Sequence, residues 1–339
     1  MKKLLAFVFV LFVANQLLAQ QKPQYSQYTL NNYLLNPAIT GIEDYADLKF
    51  GMRHQWSGLE GAPKSYYATM HMPIMKDVMP TYRGRRTGAV AKEASTKRPN
   101  VHRRLRPHHG IGAMAMSTQT GTLKRSSFSM SYAYHLPVSS TIRLSGGVSP
   151  GIIQYRLDPT SVKVVQKNDP ALSDGRVNET KFDLNMGLLL YSHNFYVGVA
   201  GAQLVPSKRD LMSISNTVGD NTGTLQKHYY ATAGYRFDVT PGFSLIPSVM
   251  VKMAEPSPAS VDATVKAIYS DRVWAAASYR HNESVSAMAG INISPLMDVA
   301  YSYDASTSAL GIANAGSHEV VIGFKLVNAG KVICPQWAW

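Results

Sequence analysis

The stretch that decides the fold lies near the start of the chain and reads QYSQYTLNNYLLNPAITGIEDYADLKFGMRHQWSGLEGAPKSYYATMHMPI over Gln24–Ile74. Its middle part alternates two kinds of side chain, the apolar Leu48, Phe50 and Met52 against the charged Asp47, Lys49 and Arg53. Alternation with a period of two places the two kinds on opposite faces of a β-strand. The run Ser65–Met72 repeats the pattern after the turn Ser57–Pro63, so the stretch predicts a β-hairpin with one apolar and one wet face.

The same alternation recurs along the chain and brings the number of candidate strands to about fourteen. Turns that contain proline, glycine or asparagine separate these runs, and helical spacing of apolar residues is hard to find, so the fold class is all-β. The predicted strands beyond the first hairpin are Gly110–Ser117, Thr122–Leu136, Thr141–Ser149, Lys181–Leu190, Phe195–Gln203, His228–Phe237, Phe243–Met253, Val261–Tyr269, Arg272–Arg280, Ser284–Ile293, Met297–Asp304 and Ser317–Leu326.

Three properties of these runs favour a membrane barrel over a soluble β-sandwich or propeller. Runs of about 9–11 residues are long enough for a tilted strand to cross the hydrocarbon layer. The polar face is rich in Ser, Gly, Thr, Asp and Lys, as a wet lumen requires. Tyrosines that edge the apolar face fit interfacial girdles, namely Tyr132, Tyr134, Tyr229, Tyr235, Tyr269, Tyr301 and Tyr303. We predict a transmembrane outer-membrane β-barrel of about fourteen antiparallel strands.

Export is predicted from the first residues of the chain. Met1–Ala19 has Lys2 and Lys3 before an apolar core and ends in a small residue, as a secretory signal does. No later stretch approaches the ~20 apolar residues of a membrane helix, and the single cysteine, Cys334, excludes a disulfide framework. We divide the mature chain into an N-terminal segment (20–44), a barrel (45–327) and a C-terminal tail (328–339).

The N-terminal segment is too long for a simple tail and mixes tyrosine with asparagine and glutamine, as in Tyr25, Tyr28, Asn31, Asn32 and Tyr33. Amide and phenol groups suit a wet interior, where they find hydrogen-bond partners among lumen side chains. The composition therefore predicts a plug that partly fills the barrel. The alternative is a periplasmic tether.

The connection Pro73–His109 holds much of the positive charge of a chain whose net charge is +13. Such a run is typical of a docking surface for an acidic partner or lipid phosphates, or of a solvated insertion. Nucleic acid is disfavoured, because the chain is exported and the run lacks interleaved aromatic residues. Between Arg83 and Arg106 there is one acidic residue, Glu93, and there are nine basic ones: Arg83, Arg85, Arg86, Lys92, Lys97, Arg98, Arg103, Arg104 and Arg106.

Catalytic and metal sites are not supported by the sequence. The histidines His102, His108 and His109 lie in the basic connection, where a flexible chain and positive charge disfavour a cation. The chain has no nucleophile elbow, HExxH motif or P-loop, so we expect no enzyme activity and no cofactor. The charged residues of the wet face are expected to pair across the lumen: Asp47, Lys49, Arg53, Asp183, Lys252, Asp262, Lys266 and Asp298.

Four blocks of the sequence match the motifs of one known family. The residues that match in the first two blocks and open the last are Gln27, Tyr28, Asn36, Pro37, Ala38, Gly41, Gln55, Trp56, Gly58, Gly61, Ala62, Pro63, Lys64, Gly316, Ser317, His318 and Glu319. The two further blocks are Gly110–Pro137 and Gly316–Leu326, and the tail with Cys334 and Pro335 also fits. These blocks resemble the PorP/SprF family of Bacteroidetes outer-membrane proteins associated with type IX secretion. The chain departs from the family before Gly121, where Ser117–Thr120 lacks the usual acidic residue, and in its longer basic connection.

The resemblance implies an outer-membrane component of type IX secretion that binds, helps to secrete or anchors surface adhesins, as in gliding motility, without catalysis. The implied partners are a secreted adhesin or its C-terminal domain, lipoproteins of the periplasm and outer membrane, and the lipid bilayer with its lipopolysaccharide. Core machinery and adhesin-specific branches both remain open. The alternatives from other classes are a channel for a small solute and an outer-membrane enzyme such as a lipase.

Overall fold

The computed structural model describes residues 26–76, 106–157, 177–205, 226–254, 257–308, 311, 314–328 and 332. The predicted signal, Met1–Ala19, lies outside these residues, as does Cys334 in the tail. None of the described residues belongs to a helix that is long and apolar enough to cross a bilayer.

The described chain is built almost wholly of β-strands in one antiparallel sheet. The strands in chain order are Ala46–His54 (β1), Lys64–Ile74 (β2), His108–Thr120 (β3), Leu123–Pro137 (β4), Arg143–Leu157 (β5), Val177–Tyr191 (β6), Phe195–Ala202 (β7), His228–Tyr235 (β8), Phe237–Thr240 (β9), Phe243–Ala254 (β10), Ser257–Tyr269 (β11), Val273–Arg280 (β12), Ser284–Asn292 (β13), Met297–Ser306 (β14) and Ser317–Leu326 (β15).

The sheet closes into a barrel, because its first and last strands pair. Ala46 at the start of β1 lies opposite Leu326 at the end of β15, and β10 pairs with both β8 and β11. The short strand β9 also pairs with β10 and continues the line of β8 after a break at Arg236. Counting β8 and β9 as one wall strand, the described residues form a closed barrel of fourteen strands, which confirms the prediction.

The two faces of the wall match the sequence pattern. In β1 the apolar Phe50 and Met52 are 46% and 47% exposed on the outside, whereas the charged Asp47, Lys49 and Arg53 are buried inside. The seven tyrosines assigned to the girdles are all exposed on the outer surface. This placement of apolar side chains outside and polar ones inside is the reverse of that in a soluble protein. It is expected of a wall that faces lipid, since hydrocarbon solvates apolar side chains and the lumen holds the polar ones. The wet face therefore lines a lumen.

The strand ends differ from the predicted ones. β2 continues through Pro73, which pairs with Gly110, and β3 begins at His108, so the connection is shorter than Pro73–His109. The predicted strand over 228–237 is broken at Arg236, whose backbone N–H donates to the carbonyl of Asn194 (2.6 Å). Apart from β9, strands run from 8 to 15 residues rather than 9–11. Backbone pairing extends past Pro73 in β2 and past Ser149 in β5, where the sequence predicted connections.

Candidate functional site

The candidate site is the lumen, together with residues 26–42 of the segment predicted over 20–44. From here on, the N-terminal segment means residues 26–42. Three short 3₁₀ turns make up most of it: Ser26–Thr29, Asn32–Leu34 and Pro37–Ile39. Asn36 caps the last turn, because its side chain accepts a hydrogen bond from Ala38 N (2.9 Å), and Pro37 supplies the backbone angle of a first helical residue. Most side chains of the segment are buried, although it belongs to no strand of the sheet.

Gln27 ties the start of the segment to a buried ionic cluster on β1, β14 and β15. Its side-chain amide donates to the carbonyl of Glu319 (3.2 Å), and its backbone N–H faces the Glu319 carboxylate (3.4 Å). Arg53 lies 3.1 Å from that carboxylate and 2.7 Å from Asp304, and the hydroxyl of Tyr67 donates to Glu319 as well (3.1 Å). Gln27 and Glu319, which come from two separate motif blocks, therefore meet inside the barrel.

Further along, side chains of the segment form hydrogen bonds with hydroxyl groups on the wall. The pairs are Tyr28 with Thr264 (3.1 Å), Asn31 with Thr69 (2.8 Å) and Tyr33 with Ser131 (2.5 Å). They connect the segment to β11, β2 and β4. The side chains of Tyr28, Asn31 and Tyr33 thereby have the partner that a buried polar group needs.

Asn36 reaches the wall between β6 and β7. Its side-chain N–H groups donate to the carbonyls of Leu188 (3.0 Å) and Val199 (3.4 Å), two residues that lie opposite each other in the sheet. A cavity of about 10 Å³ remains beside Asn36, lined also by Leu189 and Tyr196. Such a space holds about one water, so the segment packs closely against the wall here.

Glycines on the wet face allow this close approach. A Cβ atom on Gly147 of β5 would lie 2.5 Å from Ala38 N, and one on Gly110 of β3 would lie 2.5 Å from the Thr40 carbonyl carbon. A Cβ atom on Gly187 of β6 would lie 2.9 Å from the Asn36 side-chain carbon. Real Cβ contacts are longer than these, so any larger residue at the three positions must displace the segment or the wall.

Histidines hold the end of the segment. His135 donates from Nε2 to the carbonyl of Thr40 (2.8 Å), and His108 donates from Nε2 to that of Gly41 (3.2 Å). The two imidazole rings stack with centroids 4.3 Å apart, and His71 Nδ1 accepts from Gly41 N (3.3 Å). The placement of His108 and His109 in a flexible loop was wrong, because both lie in β3. Among the described residues, no group of three His, Cys, Asp or Glu side chains is arranged to hold a metal.

The remaining motif residues meet at the rim where β1 ends and β15 begins. Trp56 N donates to Ser317 Oγ (3.1 Å), and Ser57 N donates to the carbonyl of Gly316 (2.7 Å). His318 lies outside the wall, where the hydroxyl of Tyr301 is 2.7 Å from its Nδ1. The turn residues complete the β1–β2 hairpin rather than the lumen site: Gln55 bonds to Pro63, Gly61 to Gly121 and Ala62 to Leu59, and Lys64 opens β2.

One of the eight residues assigned to the basic docking loop lies among the described residues. Arg106 is exposed just before β3. Arg83, Arg85, Arg86, Lys97, Arg98, Arg103 and Arg104 lie outside the described residues.

Five of the eight predicted lumen residues, Asp47, Lys49, Arg53, Asp262 and Asp298, form ion pairs with near neighbours, so for these the expectation of pairs across the lumen was wrong. Arg280 bonds to Asp262 on the adjacent strand at 2.8 Å. Lys325 lies 3.5 Å from Asp298, also on an adjacent strand, and Lys49 pairs with Asp47 two residues earlier. Side chains on neighbouring strands lie within about 5 Å of each other and can pair directly. Side chains on opposite walls are separated by the N-terminal segment.

Glu43 lies where the segment joins β1 and is buried. Burial raises the pKa of Glu43 to about 7, and the negative charge of Asp47 acts in the same direction. The unfolded chain has a lower pKa at this position, so the folded state binds the proton more tightly. The contribution of Glu43 to stability is therefore favourable at low pH and is lost as the pH rises towards 7 and above.

We expect Glu43→Gln to stabilise the barrel more at pH 8.5 than at pH 5. The increase in the free energy of unfolding should be larger at pH 8.5 than at pH 5 by about 2 kcal/mol, since one pKa unit corresponds to about 1.4 kcal/mol. Denaturant unfolding of the refolded barrel, followed by tryptophan fluorescence at both pH values, measures it. Glu60→Gln, at an exposed position of the β1–β2 turn, is the matched control. Equal gains at the two pH values would contradict the role assigned to Glu43.

Sequence reasoning missed several residues of the site. Glu43, Thr40 and the three wall glycines were not singled out, and Tyr33 was considered only as part of the plug composition. A signal was present for two of the glycines: Gly147 and Gly187 occupy wet-face positions where neighbouring positions carry Ser, Asp or Asn. Glycine at such a position is typical of close backbone approach.

The chain matches a known family of membrane proteins. A family model described as "Type IX secretion system membrane protein PorP/SprF" matches residues 17–324. No match was found among curated proteins.

Several solved structures are similar to the chain over most of its length. The Ralstonia pickettii toluene transporter TbuX shares 9% identity at a TM-score of 0.49, covering 88% of this chain and 92% of that one. The monoaromatic hydrocarbon channel CymD shares 12% identity at a TM-score of 0.47, covering 91% of this chain and 93% of that one. The Acinetobacter baumannii outer membrane protein Omp33 shares 8% identity at a TM-score of 0.46, covering 85% of this chain and 100% of that one. At this level of similarity nothing follows about what the present chain binds or transports.

Proposed function

Because the chain belongs to the PorP/SprF family of type IX secretion system membrane proteins, we propose that it binds exported surface proteins and helps to secrete or anchor them. Family and barrel fold support an outer-membrane location. In this proposal the chain is exported under direction of its signal, Met1–Ala19, and works by protein binding rather than by catalysis. Its partners are a surface adhesin, or that protein's C-terminal domain, and lipoproteins of the secretion system.

The observation that carries this proposal is the match over residues 17–324, and the occupied lumen supports it. The N-terminal segment bonds to β2, β3, β4, β5, β6, β7, β11 and β15. A lumen filled in this way suits a protein-binding barrel better than a solute channel. We propose that the segment acts as a plug that closes the barrel to small solutes.

Docking is proposed for two surfaces. One is the rim formed by Trp56 and Ser317, where two motif blocks are hydrogen-bonded to each other. The other is the basic loop at the end of the barrel that holds the start of β1 and the end of β15. A concentration of arginine and lysine suits an acidic protein surface or the phosphates of lipopolysaccharide.

Affinity purification from detergent-solubilised outer membrane tests the proposed function. We expect a tagged wild-type barrel to recover a large exported protein, secretion lipoproteins or both. Deletion of residues 83–106 should reduce recovery several-fold and make the remainder less sensitive to salt, because screened charges contribute less at high ionic strength. A control deletion of residues 206–225, which is four residues shorter, leaves the basic loop intact. Recovery of no exported protein and no lipoprotein by the wild-type barrel would contradict the proposal.

A further inference from the structure

We infer that the lumen wall is a binding site for an uncharged polypeptide supplied by another protein, with the N-terminal segment as its resident occupant. The inference rests on the proposed function, in which exported proteins bind the barrel. It adds the place of that contact and the chemistry of the chain that is bound.

The wall recognises the backbone of the segment. Side chains from four strands donate to carbonyl oxygens of the segment, which any peptide would offer in the same place. The contacts, wall atom first, are His135 Nε2 to Thr40 (2.8 Å), His108 Nε2 to Gly41 (3.2 Å), Ser145 Oγ to Ala38 (2.7 Å) and Lys266 Nζ to Thr29 (3.5 Å). Contacts to the main chain give affinity without demanding one sequence, as in other modes of peptide recognition.

The wall also leaves room for a main chain. Gly110, Gly147 and Gly187 face the lumen where backbone or amide atoms of the segment lie against the sheet. A side chain at Gly147 would collide with Ala38 N. The neighbouring Gly146 differs, since the nearest atom to its Cβ position is Leu188 Cδ2 at 3.5 Å. Only the glycines on the inner face therefore make room for the main chain of the segment.

The occupant can be exchanged without opening the wall. The segment consists of 3₁₀ turns of three or four residues and makes no ladder with any strand. Closure of the barrel depends instead on β1 pairing with β15 and β10 with β11. Short 3₁₀ turns have little stability of their own, so the segment depends on the wall, whereas the described wall strands are paired independently of the segment.

The chemistry of the expected ligand follows from the distribution of charge. Residues 26–42 contain no Asp, Glu, Lys, Arg or His. Several ionic groups of the wall pair with one another, as Arg53 does with Glu319 and Arg280 with Asp262, and Lys266 meets the segment at an uncharged group, the carbonyl of Thr29. A charged side chain brought into this buried site would lose its hydration without gaining a free counter-ion. An uncharged stretch rich in Asn, Thr, Tyr and Leu is the class that fits.

Peptide binding to a barrel that lacks residues 20–42 tests the inference. The probe is a fluorescent synthetic peptide of residues 26–42, added to the purified barrel in detergent and followed by anisotropy. We expect saturable binding of the native peptide. A shuffled peptide of the same composition should bind with a dissociation constant within about tenfold of the native one. A version with Asn31, Asn32 and Asn36 changed to Asp should bind at least tenfold more weakly. The wild-type barrel should not bind, because its tethered segment competes at an effective concentration on the order of mM.

Wall variants in the truncated barrel provide the matched control. Gly147→Val should weaken peptide binding at least tenfold, and Gly146→Val should leave it unchanged. Should the truncated barrel fail to fold, full-length Asn36→Asp replaces it, because a carboxylate would be repelled by the carbonyls of Leu188 and Val199. This variant should bind the peptide where wild type does not.

Two results would overturn the inference: a folded truncated or Asn36→Asp barrel that binds no peptide, or one that binds the native sequence and not the shuffled one. The second result would mean that the lumen is a site for its own segment alone. Either failure leaves the proposed function intact if exported proteins are still recovered with the barrel. Loss of that recovery with peptide binding retained would contradict the proposed function and not the site.

Discussion

Replacing Arg53 by methionine should lower the free energy of unfolding of the barrel by about 3–5 kcal/mol, the cost of removing one partner from a buried ion pair. Arg53 lies 2.7 Å from Asp304 and 3.1 Å from Glu319, and all three side chains are buried. Without the guanidinium, two carboxylates remain close together in a site of low dielectric. Denaturant unfolding of the reconstituted barrel, followed by tryptophan fluorescence, measures the loss.

The matched control is Arg156→Met. Arg156 is an exposed arginine on a strand of the same barrel, and its side chain bonds to Asn178. Exposed substitutions of this kind change stability by about 0.5 kcal/mol or less. The triple variant Arg53→Met, Asp304→Asn, Glu319→Gln should recover at least half of the loss, since neutral amides no longer repel each other. A loss for Arg53→Met no larger than for Arg156→Met would show that the cluster does not stabilise the barrel.

The wall of the barrel could be predicted from the sequence, because each strand carries its own signal. In β1 the alternation of Phe50 and Met52 with Lys49 and Arg53 is enough to assign faces, since the period of two is set by backbone geometry. Strand ends were less predictable. Pro73 normally marks a turn or an edge, yet here it lies within β2, whose pairing with β3 continues through Pro73 opposite Gly110 and Ile74 opposite His109.

The contacts of the site could not be predicted in the same way. Gln27 and Glu319 are separated by 292 positions in the chain, and they meet only because the last strand closes on the first. The composition of the N-terminal segment predicted that Gln27 lies in the wet interior, and the resemblance marked both residues as motif residues, but no face was predicted for Glu319. Which wall group faces which segment group depends on the register and tilt of the whole barrel, and a single sequence contains no local signal for these quantities.

A valine at Gly147 should open the barrel to small solutes. Its Cβ would lie 2.5 Å from Ala38 N, and closer still to the carbonyl oxygen of Pro37, so the segment must move away from β5. Valine is favourable in a strand, and the wall should therefore keep its shape while the segment is displaced. Single-channel recording in planar bilayers should show a several-fold rise in conductance over wild type, close to that of a barrel lacking residues 20–40.

The neighbouring variant Gly146→Val separates displacement of the segment from damage to the wall. Position 146 is on the same strand, but its Cβ would make an ordinary contact of 3.5 Å with Leu188 on the outer face, so conductance should stay at the wild-type level. Combining Gly147→Val with the deletion should add nothing further, since both changes act on one element. If the deletion itself leaves conductance unchanged, the segment does not plug the barrel, and the lumen must be closed by the wall side chains or the loops.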